Sequence, residues 1–135
     1  MSHPKQVVLI TGGSRGLGRA AALALADQGD DVIITYREQA GAARSVVEAV
    51  QAQGGQAASL QLDVGDVGSY EAFVTAVRER LQQQWNRTDF DALLNNAGHS
   101  LNRPFEQTTE AAFDALMAVH VKGPFFLTQA LLPLL

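Results

Sequence analysis

The sequence predicts an α/β fold in three layers, a parallel sheet with helices on both faces. Three observations carry this expectation. Aliphatic runs recur at residues 7–10, 32–36, 57–62 and 90–94. Segments with apolar residues at helical spacing separate them. The first run, VVLI, passes into a turn holding Gly12, Gly13, Gly16 and Gly18, and strand, helix and strand within about 30 residues form a βαβ unit, nearly always parallel and right-handed.

Taken in order, Val7, Val8, Leu9 and Ile10 are continuously apolar, as befits a strand buried on both faces. After the glycine turn, the alanines and leucines of residues 20–26 are strong helix formers. A polar turn around Gly29 leads to the second strand, residues 32–36, with Arg37 at its carboxyl end. The second helix is expected over residues 40–53, with Ala43, Val46, Val47 and Val50 on one face and Gly54 and Gly55 as its stop. A third strand, 57–62, ends at Asp63 and Val64. Asp66 or Ser69 then caps a third helix running to about residue 84, its stripe including Phe73, Val77 and Leu81. The fourth strand, 90–94, leads into Asn95, Asn96, Ala97 and Gly98. Thr108 or Thr109 begins a helix carrying Phe113, Leu116, Met117 and His120, interrupted at Gly123 and Pro124. The last segment, PFFLTQALLPLL, is strongly apolar and has no glycine cap.

At 135 residues the chain holds at most one domain, residues 1–135. A net charge of −4 without a basic face argues against a nucleic-acid partner. The absence of cysteine excludes a disulfide framework, a thiolate metal site and a cysteine nucleophile, and fits a reducing cytoplasm. MSHPKQ lacks the apolar core of a signal peptide, and no run approaches the roughly 18 apolar residues of a membrane span, so a soluble, cytoplasmic protein is expected. His3, His99 and His120 are too scattered for a metal site.

The glycine turn carries the first functional expectation. Glycine permits positive φ and lets a phosphate approach main-chain N–H groups with no Cβ in the way. Those N–H groups are the unpaired donors at a helix N-terminus, where the helix dipole also favours negative charge. A turn placed after a strand and before a helix is therefore suited to a dinucleotide phosphate.

Together these residues resemble the short-chain dehydrogenase/reductase family across essentially the whole chain, as the N-terminal half of a typical member. TGGSRGLG at 11–18 matches the family's TGxxxGxG motif, NNAG at 95–98 its second signature, and Asp63 with Val64 a weaker third element. The resemblance implies a Rossmann-type parallel sheet ordered 3-2-1-4, truncated after the fourth strand and the helix that follows it. It places the cofactor phosphates on Gly12, Ser14, Arg15, Gly16, Leu17 and Gly18. Asp63 and Val64 then place the adenine, and Asn96, Ala97 and Gly98 lie along the nicotinamide-side ribose.

Charge selects the cofactor. An NAD site usually has a carboxylate near the end of the second strand, and an NADP site an arginine for the 2′-phosphate. Here that end reads Thr35, Tyr36, Arg37, with no acid in the carboxylate position, while Asp30 and Asp31 precede the strand. Arg15 can reach the same phosphate from the glycine loop, with Ser14 as a hydroxyl donor. Two arginines favour NADP(H) over the plainer reading of solvated surface charge.

The resemblance further implies hydride transfer between a nicotinamide and a carbonyl or alcohol, with a tyrosine as acid/base, a lysine that lowers its pKa and a serine. Tyr36 and Tyr70 are the only tyrosines, and neither has a lysine four residues later, so the catalytic segment is expected to be lacking and the chain alone inactive. His120 stands where the family usually has an asparagine that helps hold a proton-relay water. It is a candidate catalytic residue, or else a histidine satisfied by a backbone carbonyl in a kinked helix. The rival expectation is a non-catalytic nucleotide-binding or interaction protein that forms homo-oligomers through its apolar C-terminal helix.

Overall fold

The computed structural model describes residues 4–135; His3 lies outside them. Four strands, β1 (Val7–Ile10), β2 (Asp31–Tyr36), β3 (Ala57–Gln61) and β4 (Ala92–Leu94), pair in parallel in the order β3-β2-β1-β4. Leu9 sits opposite Ile33 on one side and Leu93 on the other.

The two-residue period of the strands divides the core. Val8, Ile10, Val32 and Ile34 point to one face, against Ala22 and Ala26 of α1 (Gly16–Asp27) and Ala43, Val46 and Val50 of α2 (Ala40–Ala52). Val7, Leu9 and Ile33 point to the other, against Tyr70, Phe73 and Val77 of α3 (Tyr70–Arg80) and Leu127 and Leu131 of α5 (Gly123–Leu131). Because both faces are covered, β1 is apolar throughout and β2 is apolar in its middle, Val32 to Ile34.

At the amino edge of the sheet, acids bind the main-chain amides that precede regular pairing. Asp30 accepts from Gln6 N at 3.1 Å, Asp91 from Val7 N at 2.8 Å, and Asp31 from Gln56 N at 2.9 Å and Trp85 Nε1 at 2.9 Å. Asp30 and Asp31 are almost completely buried there. Arg87 bonds both carboxylate oxygens of Asp91, at 2.8 and 3.0 Å. That fork is the main reason the Asp91 pKa lies below the ordinary carboxylate value, with the Val7 amide adding to it against the effect of burial.

Several local expectations are corrected. The fourth strand is three residues long, since Phe90 N donates to Leu134 O and Asp91 N to Val7 O before the β4 ladder begins. Neither Asp66 nor Ser69 caps α3 with its side chain; a 3-10 turn, Val67–Ser69, leads in, and Ser69 Oγ donates back to Asp66 O at 2.7 Å. Beyond α3 the chain widens into a π turn, Leu81–Trp85. Thr109 accepts from Ala112 N and caps α4 (Glu110–Met117).

The helix is not broken at Gly123 and Pro124. A π turn, Ala118–Lys122, carries α4 directly into α5, with Pro124 in the first turn, where its missing N–H costs little. The run Glu110–Leu134 contains an 18-residue window with a mean hydropathy of 1.3 and is long and apolar enough by length and composition to cross a membrane. This corrects the expectation of no such segment, because few charges, rather than an unbroken apolar run, suffice. Leu127, Leu131 and Leu134 pack into the core, while Phe113, Val121, Phe125 and Leu132 on the same run are more than half exposed.

Candidate functional site

The carboxyl ends of β1, β2 and β4 open onto a cleft of about 410 Å³. Its first wall is the glycine turn, stitched to its neighbours by two threonines. Thr11, fully buried after β1, accepts from Asn96 N at 3.0 Å and Ala97 N at 2.9 Å through Oγ1. Thr35, near the end of β2, accepts from Gly12 N at 3.1 Å through Oγ1 and from Gly13 N at 3.0 Å through its carbonyl. Asn96 Nδ2 in turn donates to Thr11 O and Gly12 O, both at 3.2 Å. The 11–18 turn and the 95–98 turn are therefore a single hydrogen-bonded unit.

Glycine is required where these segments meet. Gly12 has φ of +66°, and a Cβ there would lie 2.9 Å from Ala97 Cα. A Cβ on Gly18 would overlap Gly12 O and the Asn96 amide. The close approach lets α1 start with Gly16 and Leu17 on the cleft wall, and the residue before it, Arg15, makes no side-chain capping bond. An anion here meets main-chain amides at the positive end of a helix.

Gly12, Ser14, Arg15, Gly16, Leu17, Arg37, Asp63, Val64, Asn96, Ala97 and Gly98 all line this one cleft; Gly18 is buried immediately behind the turn. Arg15 and Arg37 are both exposed. Arg37 Nε stands 3.8 Å from Asp63 Oδ2, and with both side chains well exposed this pair is held weakly. Asp63 Oδ1 accepts from Gly65 N at 2.9 Å, closing the turn after β3. Glu38, directly after Arg37, also lines the cleft.

At the opposite end the wall is made by Gly98, His99 and Val119. His120 stands just behind it. Its Nε2 lies 2.6 Å from His99 O and 3.2 Å from His99 N; the shorter contact is a donor bond when the proton is on Nε2. Its ring leaves no room for a side chain on Gly98, where a Cβ would come 2.5 Å from His120 Cε1. The imidazole, on the π turn, thus meets the backbone carbonyl of His99 and holds the main chain after NNAG.

The tyrosines separate cleanly. Tyr36 lines the cleft at the end of β2. Tyr70 opens α3 and is a core residue: its hydroxyl donates to Val64 O at 2.5 Å and lies 3.1 Å from Gly123 O. Burial, reinforced by the Asp63 and Asp66 carboxylates, raises its pKa to about 12. The backbone bonds of Thr35 and Tyr70 are the ones sequence reasoning missed, whereas Thr11 is the first residue of the TGGSRGLG motif.

Comparison with known proteins agrees with this geometry. The family model for short chain dehydrogenases matches residues 6–135. Elsinochrome reductase 1 of Elsinoe fawcettii is 34% identical over 92% of this chain and 44% of its own length. Among solved structures, the landomycin C-6 ketoreductase LanV with bound NADP and rabelomycin is 36% identical, with a TM-score of 0.91 over 96% of this chain and 53% of its own. A short chain dehydrogenase from Burkholderia cenocepacia in complex with NADP is 35% identical, with a TM-score of 0.85 over 97% of this chain and 51% of its own. The chain spans about half the length of the relatives it matches.

Proposed function

Since the chain belongs to the short chain dehydrogenase family, we propose that it is the NADP(H)-binding portion of an oxidoreductase that interconverts carbonyl and alcohol groups. The observation that carries the reading is the pairing of Arg15 and Arg37 on one cleft with the glycine turn and the NNAG turn. The turn fits a dinucleotide phosphate because Gly12 and Gly18 keep side chains out of the place where segments converge. Ser14, Gly16 and Leu17 would hold the phosphates, Arg15 and Arg37 the 2′-phosphate, Asp63 and Val64 the adenine, and Asn96, Ala97 and Gly98 the second ribose. NADP-bound relatives support this choice. When bound, the nicotinamide supplies the hydride chemistry.

Proton transfer in this family is given to a tyrosine with a lysine four residues on, and among the described residues no such pair stands in the cleft. Tyr70 is buried and bonded to main-chain carbonyls, and Tyr36 stands at the Arg37 end. We therefore assign binding to this chain, and turnover to the chain joined to a segment bearing an acid/base group. The test is a carbonyl substrate panel with NADPH: binding without oxidation of NADPH is expected, and turnover by the 135-residue chain refutes the assignment.

A second reading is favoured by the exposed Phe113, Val121, Phe125 and Leu132: a non-catalytic nucleotide-binding protein that self-associates through this helical run. Sedimentation at rising concentration tests it. A single monomer species throughout excludes it.

A further inference from the structure

Tyr70 is buried beneath the cleft, and the binding reading leaves it without a role. Its hydroxyl reaches the carbonyl oxygens of two segments 59 residues apart, Val64 after β3 and Gly123 at the start of α5. Its one proton is shared between two carbonyl oxygens, with the shorter contact to Val64 O, and this shared donor ties the two segments together.

The two segments are also in direct contact. A Cβ on Gly123 would lie 2.5 Å from Val64 O, so only glycine lets α5 begin so close to this wall. A Cβ on Gly65 would lie 3.3 Å from Val119 Cγ2, which seats the π turn on the residue after Val64. Each segment contributes a residue to the cleft, Val64 from one and Val119 from the other. The burial that raises the Tyr70 pKa to about 12 keeps the hydroxyl protonated, and so a donor, at any physiological pH.

We propose that Tyr70 is a positioning residue for the dinucleotide cleft, a clamp whose hydroxyl holds the Val64 wall against the start of α5. This rests on the nucleotide-binding reading above. The ring fills the core, and the hydroxyl sets the separation of Val64 and Val119. Tyr70→Phe removes only the second function.

The test compares Tyr70→Phe with Val50→Ala, a cavity in α2 on the other face of the sheet, both under conditions where circular dichroism shows a folded chain. Amide hydrogen exchange should accelerate in Tyr70→Phe at residues 64–66 and 118–122 while the α2 amides keep their wild-type rates. NADPH binding should weaken by about three- to tenfold, the worth of one hydrogen bond, whereas Val50→Ala stays within about twofold of wild type. A folded Tyr70→Phe that binds NADPH as wild type does, or exchanges as wild type does at residues 118–122, overturns the clamp and leaves the binding reading standing. Equal weakening in Val50→Ala also overturns it, since general destabilisation then accounts for the effect. If the wild-type chain takes up no NADPH, the binding reading falls and the proposal falls with it.

Discussion

The two edges of the sheet are built from opposite chemistry. At the amino edge, Asp30, Asp31 and Asp91 bind the amides of residues 6, 56 and 7, and Trp85, Lys5 and Arg87 complete the partners of Asp31 and Asp91. At the carboxyl edge, glycines and threonine hydroxyls arrange the main chain, and exposed Arg15 and Arg37 face a cleft. The single strand β2 shows both, with Asp31 buried at its start and Arg37 exposed just past its end. Satisfied polar groups make one edge a closure, and the other edge keeps its charge and its backbone for a ligand.

The comparison predicts that substitutions at the two edges have separable effects. The largest is expected for Gly18→Val. Its side chain would overlap Gly12 O and the Asn96 amide, prising the two turns apart; NADPH binding should vanish in a fluorescence titration, with a stability loss of about 1–3 kcal/mol from overpacking. Asp31→Ala should do the reverse. Orphaning the Gln56 and Trp85 donors should cost about 1–3 kcal/mol in urea denaturation, with NADPH affinity within about twofold of wild type. A large affinity loss would erase the distinction between the edges.

Arg37→Ala should weaken NADPH about tenfold, the scale of a hydrogen bond to a charged group, and leave NADH nearly unchanged; equal losses for both would remove the role given to Arg37. The smallest effects are in pH. The Asp91 pKa is lowered on folding, so its contribution is present above the unfolded carboxylate value and is lost as pH falls through the folded one. Asp91→Asn should remove that acid-side loss. The Tyr70 pKa is raised, so its contribution is complete below about pH 10 and is lost as pH rises through about 12. Tyr70→Phe should flatten that alkaline limb in pH-dependent denaturation.

Much of this was legible in the sequence, for identifiable reasons. Four parallel strands follow from aliphatic runs spaced by amphipathic helices, their order from the family resemblance, and β2 ends at Tyr36 as read. The residues of the two glycine-bearing turns meet in one cleft because both turns close strands that neighbour in the sheet. The helix through Gly123 and Pro124 was misread because the pair resembles a stop, whereas a π turn absorbs the missing donor. The bonds of Thr35 and Tyr70 were not legible because a hydroxyl that bonds distant backbone leaves no periodic trace. Glu38 was passed over although it adjoins Arg37; which neighbour after a strand turns toward a cleft is set by loop geometry.

The central claim is that the carboxyl edge is an NADP(H) site selected by its arginines. Parallel titration of the wild-type chain with NADPH and NADH at one fixed salt concentration tests it most directly, because the two ligands differ only by the 2′-phosphate. The account predicts saturable binding of both, with NADPH tighter by about tenfold or more. Equal affinities, tighter NADH, or no binding of either would contradict it.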